Sequence, residues 1–179
     1  MAGGRESWIG GEAWVGLARE TPEDWWEVEA LYDLCFAPGR EALSSYRLRD
    51  GVAPVAALCL CLRDETEALI GAIRHWPVRV GRGRAPALLL GPVAVHPTRQ
   101  GEGLAGLLIH ETLGQARAEG WERVLLVGDA PYYGRFGFAR LPGVGMPPPT
   151  NPERVLGVEL VPGAWQGVTG EIERWTAES

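Results

Sequence analysis

The sequence is poor in the features that mark secreted, membrane-spanning and nucleic-acid-binding proteins. It holds 3 cysteines, Cys35, Cys59 and Cys61, too few and too unevenly placed for a disulfide framework. Cys59 and Cys61 are spaced like half a metal site, but no second cysteine or histidine pair stands near them, so reduced thiols on one strand face are expected, and no metal. No apolar run approaches the ~20 residues that span a bilayer, so no membrane partner is expected. The opening MAGGRESWIGGEAW lacks the basic and apolar regions of a secretory signal, which points to a cytoplasmic protein. Positive charge is outnumbered, with 17 Lys and Arg against 23 Asp and Glu, a net charge of −6 and a pI near 5.1. That balance argues against a nucleic-acid partner. Internal repeats and low-complexity tracts are absent.

What is present fits one globular domain over residues 1–179, with 1–12 as a flexible, glycine-rich lead-in. Hydrophobic residues make up 46% and charged residues 22%, an ordinary globular balance. Trp14 to Arg19 reads as a short strand. Thr21-Pro22-Glu23-Asp24 opens a helix, with Thr as N-cap and acids at the positive end of the dipole. Trp25, Val28, Leu31, Tyr32 and Cys35 give its stripe, and Pro38-Gly39 breaks it. A second helix is expected over Arg40–Leu48. Val52–Leu62 and Ala68–Val80 read as a hairpin, the second strand interrupted at Pro77. Further strands are expected at Leu88–Val95 and Arg123–Val127, a helix turn at Pro131–Phe136, and an irregular loop over Leu141–Pro152. Two closing strands, Val155–Val161 and Val168–Trp175, are expected to pair with each other. The result is an α/β (α+β) domain with a mixed sheet flanked by helices.

One stretch organises the rest: LLLGPVAVHPTRQGEGLAGLLIHETLGQARA, Leu88 to Ala118. An apolar strand ends at Pro97, a glycine loop Gln100-Gly101-Glu102-Gly103 follows, and a helix starts near Leu104. Leu104, Leu108, Ile109, Leu113 and Ala116 fall on one face of that helix. Strand, glycine turn and helix together present unpaired backbone N–H groups to an anion. Glycine permits left-handed dihedrals and close approach of a phosphate. The loop is not a Walker A sequence, and it lacks the acid that follows a dinucleotide fingerprint after about 20 residues. Taken alone, the turn is open to a purely structural reading.

Two motifs in order sharpen it. Gln100-x-x-Gly103-x-Ala105, after Val93-Ala94-Val95-His96-Pro97, resembles the acetyl-CoA motif of the GCN5-related N-acetyltransferase (GNAT) superfamily. Tyr132-Tyr133-Gly134-Arg135-Phe136-Gly137-Phe138 resembles its second signature. The strings Leu90–Pro97 and Gly128–Phe138, with Val158–Ala164, look most like the YhbS-type branch. The resemblance implies the GNAT fold: a central mixed, mostly antiparallel sheet flanked by helices, with a splayed parallel strand pair, here Leu88–Val95 and Arg123–Val127. It implies an acetyl-CoA-dependent N-acetyltransferase acting on a primary amine by direct attack in a ternary complex, with no metal. Backbone groups of Val93, Ala94 and Val95 would hold the pantetheine arm, the Val93 N–H facing the thioester carbonyl. Backbone amides of Gln100, Gly101, Glu102, Gly103, Leu104 and Ala105 would hold the pyrophosphate, with Arg99 either adding charge or standing exposed. Tyr133 would protonate the leaving thiolate. Tyr132 would pack. Asp129 would bond the arm or hold the tyrosine loop.

The chain also departs from the pattern. Leu126 occupies the position, seven residues before the tyrosine, where many members carry asparagine. The general base is unassigned, with His75, His96, a more distant acid or a water chain as candidates, each histidine also open to a purely structural role. The acceptor pocket is expected from Trp25–Leu48, Arg74–Val80 and Leu141–Thr150. Arg40, Arg47, Arg49, Arg74 and Arg82 either favour an anionic acceptor or are solvated surface. The 8 tryptophans either line an apolar pocket or, as the default, make core and homodimer contacts. The acceptor itself is not legible. A non-catalytic acyl-CoA-binding or sensor domain is the alternative, and an unrelated nucleotide binder a third reading.

Overall fold

The structure is a computed structural model that describes residues 5–9, 13–36, 40 and 44–177. The sheet is built outward from two long neighbours, β4 (Leu69–Val80) and β5 (Ala85–Val95), which pair antiparallel. On one side, β3 (Leu60–Asp64) joins the start of β4, β2 (Ala13–Arg19) joins β3, and β1 (Arg5–Ile9) joins β2, all antiparallel. On the other side, β6 (Arg123–Val127) runs parallel to β5, and β9 (Val155–Glu159) pairs with β6 and with the short β7 (Ala139–Arg140). β10 (Gly170–Arg174) adds to the end of β4 and pairs parallel with β8 (Val144–Gly145).

Helices cover both faces, which explains why β4 is buried from Ile70 onward rather than alternating. α3 (Leu104–Ala118) lays its expected apolar face on one side, where Leu104, Leu108, Ile109, Leu113 and Ala116 meet Ile73, Leu88, Leu90, Val124 and Leu126. On the opposite face, α1 (Trp25–Cys35) packs Val28, Leu31 and Tyr32 against Cys61, Ala72 and Ala94. A one-residue change of face separates Ile73 from Ala72, as strand alternation requires. α2 (Ser44–Arg47) and α4 (Ala130–Tyr133) are single turns.

Several expectations are corrected. Arg5–Ile9 is a strand inside the proposed lead-in; residues 1–4 and 10–12 lie outside the described residues. Of the expected Arg40–Leu48 helix, Ser44–Arg47 is helical, residues 41–43 lie outside the described residues, and so does the Pro38-Gly39 break. Val52–Leu62 is not one strand. A 3-10 turn at Ala56–Leu58 precedes β3, so Cys59 lies just before the strand that holds Cys61. Both thiols are buried, and burial raises them to about 11 and about 12. Among the described residues, no group of three or more potential metal ligands comes together. Val155–Glu159 and Gly170–Arg174 do not pair with each other but close different sides of the sheet. Of the tryptophans, Trp76 is buried, whereas Trp25 and Trp26 are 59% and 66% exposed.

Pro77 does not interrupt its strand. It pairs in register with Leu88. β3 leaves β4 at Ile73 and β10 joins only at Val78, so no strand lies between them on that side. The His75 carbonyl accepts from the Val55 N–H on that side. Two residues on, Pro77 presents its missing N–H to the same gap, where no ladder bond is lost.

His75 is a fully buried member of β4. Its Nδ1 lies 2.8 Å from the Leu58 carbonyl, and its Nε2 is buried without a partner. Burial pushes its pKa down to about 4. The unfolded chain takes up this proton near pH 6.5, so it binds more protons than the folded state between about 6.5 and 4. Stability is therefore complete above that window and falls as pH drops through it, by ~3 kcal/mol at full protonation. Urea midpoints measured from pH 7 to 4 should show this loss, and His75→Gln should flatten it. An unchanged slope in the variant would assign the loss to other groups.

Candidate active site

The sheet opens between β5 and β6. The two pair only at Leu88–Val124 and Leu89–Leu125, then separate. A bulge accompanies the separation. Ile73 faces Val93, but His75 faces Leu90, so β5 carries one extra residue around Gly91-Pro92. Pro92 thus sits where no ladder bond is required. The Tyr32 hydroxyl donates to the Pro92 carbonyl at 3.1 Å and fixes the bulge to α1.

This geometry leaves backbone groups available. The His96 N–H donates to the Ile70 carbonyl of β4 at 2.8 Å. Strand alternation then turns Ala94 toward β4 and Val93 and Val95 toward the open side. Of the three, Val93 and Val95 turn their backbone to the open side, the Val95 carbonyl being taken by Gln100 and Cys35, and Ala94 does not. A cleft of about 150 Å³ lies there, lined by Leu90–Val93, Leu126, Val127 and Tyr133. Leu126 is buried in the core, so the asparagine of the wider pattern is replaced by an apolar wall.

At the end of β5 lies a second cleft, of about 510 Å³, lined by Val95, Arg99–Gly101, Gly103–Gly106, Tyr132 and Arg135. Gly101 and Gly103 have φ of +86° and +79°, and a Cβ on either would point into open space. Gly103 is the N-cap of α3, and no side chain caps that end. The first intrahelical bond runs from the Leu107 N–H to the Gly103 carbonyl. The preceding N–H groups face the cleft with the positive end of the helix dipole behind them. Gln100 ties the loop down, its Nε2 donating to the Val95 carbonyl at 3.4 Å.

Arg99 does not supply free charge. Its guanidinium is held by Glu102 at 2.7 Å and 3.1 Å and by Asp64 at 3.8 Å. Glu102 therefore lends its side chain to Arg99 and only its backbone to the loop. Arg135, which the sequence motifs do not single out, lines this cleft alongside Arg99. Its guanidinium stacks 4.5 Å from the Tyr132 ring, its Nε donates to the Tyr132 carbonyl at 3.0 Å, and among the described residues it has no carboxylate partner.

The two tyrosines divide between the clefts. Asp129 caps α4, accepting from the Tyr132 N–H at 3.1 Å, so it holds the tyrosine turn. Tyr132 packs edge-on against Tyr133 and Phe136 at 4.9 Å and 5.7 Å. Tyr133 packs on Phe138 and the main core while lining the first cleft. Its burial pushes its pKa above the usual phenol value, so it is protonated at neutral pH. Gly128 makes room for it: a Cβ there would lie 2.5 Å from the Tyr133 ring. Gly128→Ala should move the ring and lower turnover about tenfold, as misplacement of an acid does. Acetyl-CoA affinity, measured alongside, should hold. Equal turnover would mean the ring position is not critical.

Residues 18–141 match the model of the acetyltransferase (GNAT) domain. The chain belongs to the GNAT family. It is 32% identical over 120 residues to the uncharacterized N-acetyltransferase YhbS of Escherichia coli K12, covering 66% of this chain and 70% of that one. A crystal structure of E. coli YhbS in complex with CoA superposes with a TM-score of 0.79 at 27% identity, over 94% of each chain. A GNAT acetyltransferase from Brucella melitensis in complex with acetyl-CoA gives 0.66 at 28% identity, over 90% of this chain and 96% of that one.

In this GNAT chain the side of the first cleft away from α3 is built by Phe36, Arg40, Ser45, Tyr46 and Arg49. The expected contributions from 74–80 and 141–150 do not line it. Trp76 instead backs Arg49, and the 141–150 loop braces α2, through Ser44 with Thr150 and through Arg47 donating to the Pro148 carbonyl at 3.1 Å. Neither candidate histidine lines it either. His75 is in the core, and the Nδ1 of His96 binds Thr98 at 2.8 Å. Among the described residues, no histidine or carboxylate lines this cleft.

Proposed function

We propose that this GNAT N-acetyltransferase transfers the acetyl group of acetyl-CoA to a primary amine by direct attack in a ternary complex. The observation that carries the reading is the pair of clefts that β5 lines at Val93 and at Val95, one at the β5–β6 gap with Tyr133 beside it, the other at the loop before α3 with its unpaired N–H groups. The pantetheine arm lies along the open side of Val93 and Val95. The pyrophosphate rests on the backbone of Gln100–Ala105, with Arg135 adding charge. The amine nitrogen attacks the thioester carbon, and the Val93 N–H stabilises the developing oxyanion. The C–S bond breaks, and the Tyr133 hydroxyl donates its proton to the leaving thiolate. The amine's own proton leaves to solvent. Cys35 supports direct transfer, since its thiol is bonded to the Val95 carbonyl at 3.3 Å and its pKa is raised by burial, which makes it a poor nucleophile. Three free cysteines fit the cytoplasm, where thiols stay reduced.

The lack of a histidine or carboxylate along the described cleft favours a second reading, a non-catalytic acyl-CoA sensor. Calorimetric titration with acetyl-CoA, CoA, ATP and NAD, followed by an amine screen for CoA release, separates the readings. Saturable binding of acetyl-CoA with CoA release is expected. Binding without release from any amine would leave the sensor, and no binding of either CoA species would overturn both.

A further inference from the structure

Arg40 and Arg49 line the outer wall of the first cleft, Arg74 shares Glu29 with Arg40 behind it, and Arg40 and Arg74 are neutralised. Arg40 donates to Glu29 at 2.6 Å and Asp33 at 3.0 Å. Arg74 donates to Glu20 at 2.6 Å and 2.9 Å and to Glu29 at 2.5 Å. Arg49 is different. Its guanidinium is clamped between the rings of Tyr46, at 3.9 Å, and Trp76, at 4.6 Å. Its Nε is buried with no hydrogen-bond partner, and among the described residues no carboxylate reaches it. Yet it lines the cleft.

A half-buried guanidinium with no counter-charge gains when a ligand supplies one. Aromatic rings stabilise it only in part. Burial holds its pKa below the usual guanidinium range, and the adjacent Tyr46 hydroxyl offsets that only in part. The neighbouring hydroxyl points the same way. The Tyr46 oxygen already accepts from Arg40 at 2.6 Å, so its own hydrogen is free to donate to an acceptor in the cleft. Ser45 adds a third polar group on this wall.

We infer that Arg49, with Tyr46, is the acceptor-specificity site, and that the amine acceptor carries an oxyanion, carboxylate or phosphate-like, at the end away from its amine. Resting on the acetyl-transfer reading, this assigns the substrate class. Arg49 binds the anion and the amine lies toward Val93 and the thioester. The planar fork of arginine suits either oxyanion.

The test is a matched panel in which only the far group changes: ω-amino acids of increasing length, the corresponding alkylamines, and the corresponding aminoalkylphosphonates. The anionic amines should exceed their alkylamine partners in kcat/KM by about 10- to 100-fold, the value of a charge-assisted contact. Arg49→Met should bring that ratio close to one, and Arg49→Lys should keep part of it. Carboxylates and phosphonates, compared with each other, identify the oxyanion. Calorimetry of the same panel on the CoA-loaded chain provides an arm that needs no turnover. Anion binding by the wild type that Arg49→Met loses would sustain the anion site at Arg49 even if no amine of the panel were acetylated. Equal kcat/KM for charged and uncharged amines, a preference that survives in Arg49→Met, or no anion binding to the CoA-loaded wild type would each overturn it. The first two of these leave acetyl transfer standing.

Discussion

Gly103→Glu is expected to abolish acetyl-CoA binding, with the calorimetric Kd rising more than about 100-fold. The residue sits at φ +79° as N-cap of α3, with open space where a Cβ would go. A side chain there meets no protein atom but enters the cleft in which the pyrophosphate is placed. Three effects then add. An L-residue at positive φ costs roughly 1–2 kcal/mol. The carboxylate repels a diphosphate at close range. It also competes for the helix N–H groups that the diphosphate would use. Gly103→Ala separates these effects, because it keeps the strain and removes the charge, and should cost roughly tenfold. The melting temperature should change little in either variant beyond the strain. Unaltered acetyl-CoA affinity in Gly103→Glu would remove the pyrophosphate from this loop.

Tyr133→Phe is expected to lower kcat on the order of 100-fold, the lower range of a lost general acid. Phenylalanine retains the packing on Phe138, 6.0 Å between ring centroids, and on Phe136 at 6.4 Å, so the fold and acetyl-CoA affinity should hold. Only the proton donor is removed. Because burial raises the Tyr133 pKa, wild-type turnover should not lose this acid anywhere in the neutral range. A split with kcat lowered and Kd constant identifies the donor. Unchanged turnover would reduce Tyr133 to a packing residue.

The central unit was legible because its signals are local. Leu104, Leu108, Ile109, Leu113 and Ala116 repeat at helical spacing, and all are buried against the sheet. Gly101 and Gly103 stand where left-handed dihedrals are required. The two closing strands show the opposite case. Their residues were identified, but their partners were not, because strand pairing depends on long-range packing that no local pattern encodes. β9 belongs beside β6 and β10 beside the end of β4. Pro77 failed as a strand breaker for the same kind of reason, since its tolerance depends on the gap between β3 and β10.

The site divides similarly. Residue type and order along the chain determined the family, the loop before α3 and the tyrosine pair, because backbone N–H groups and a phenol act through local geometry. The tertiary structure decided which charges are available there. Arg99 and Arg49 are both arginines near polar loops, indistinguishable in sequence. Folding places Glu102 and Asp64 on the first, and aromatic rings with no described carboxylate on the second. A charge is satisfied or unsatisfied only by neighbours brought from distant parts of the chain, so that distinction exists only in three dimensions.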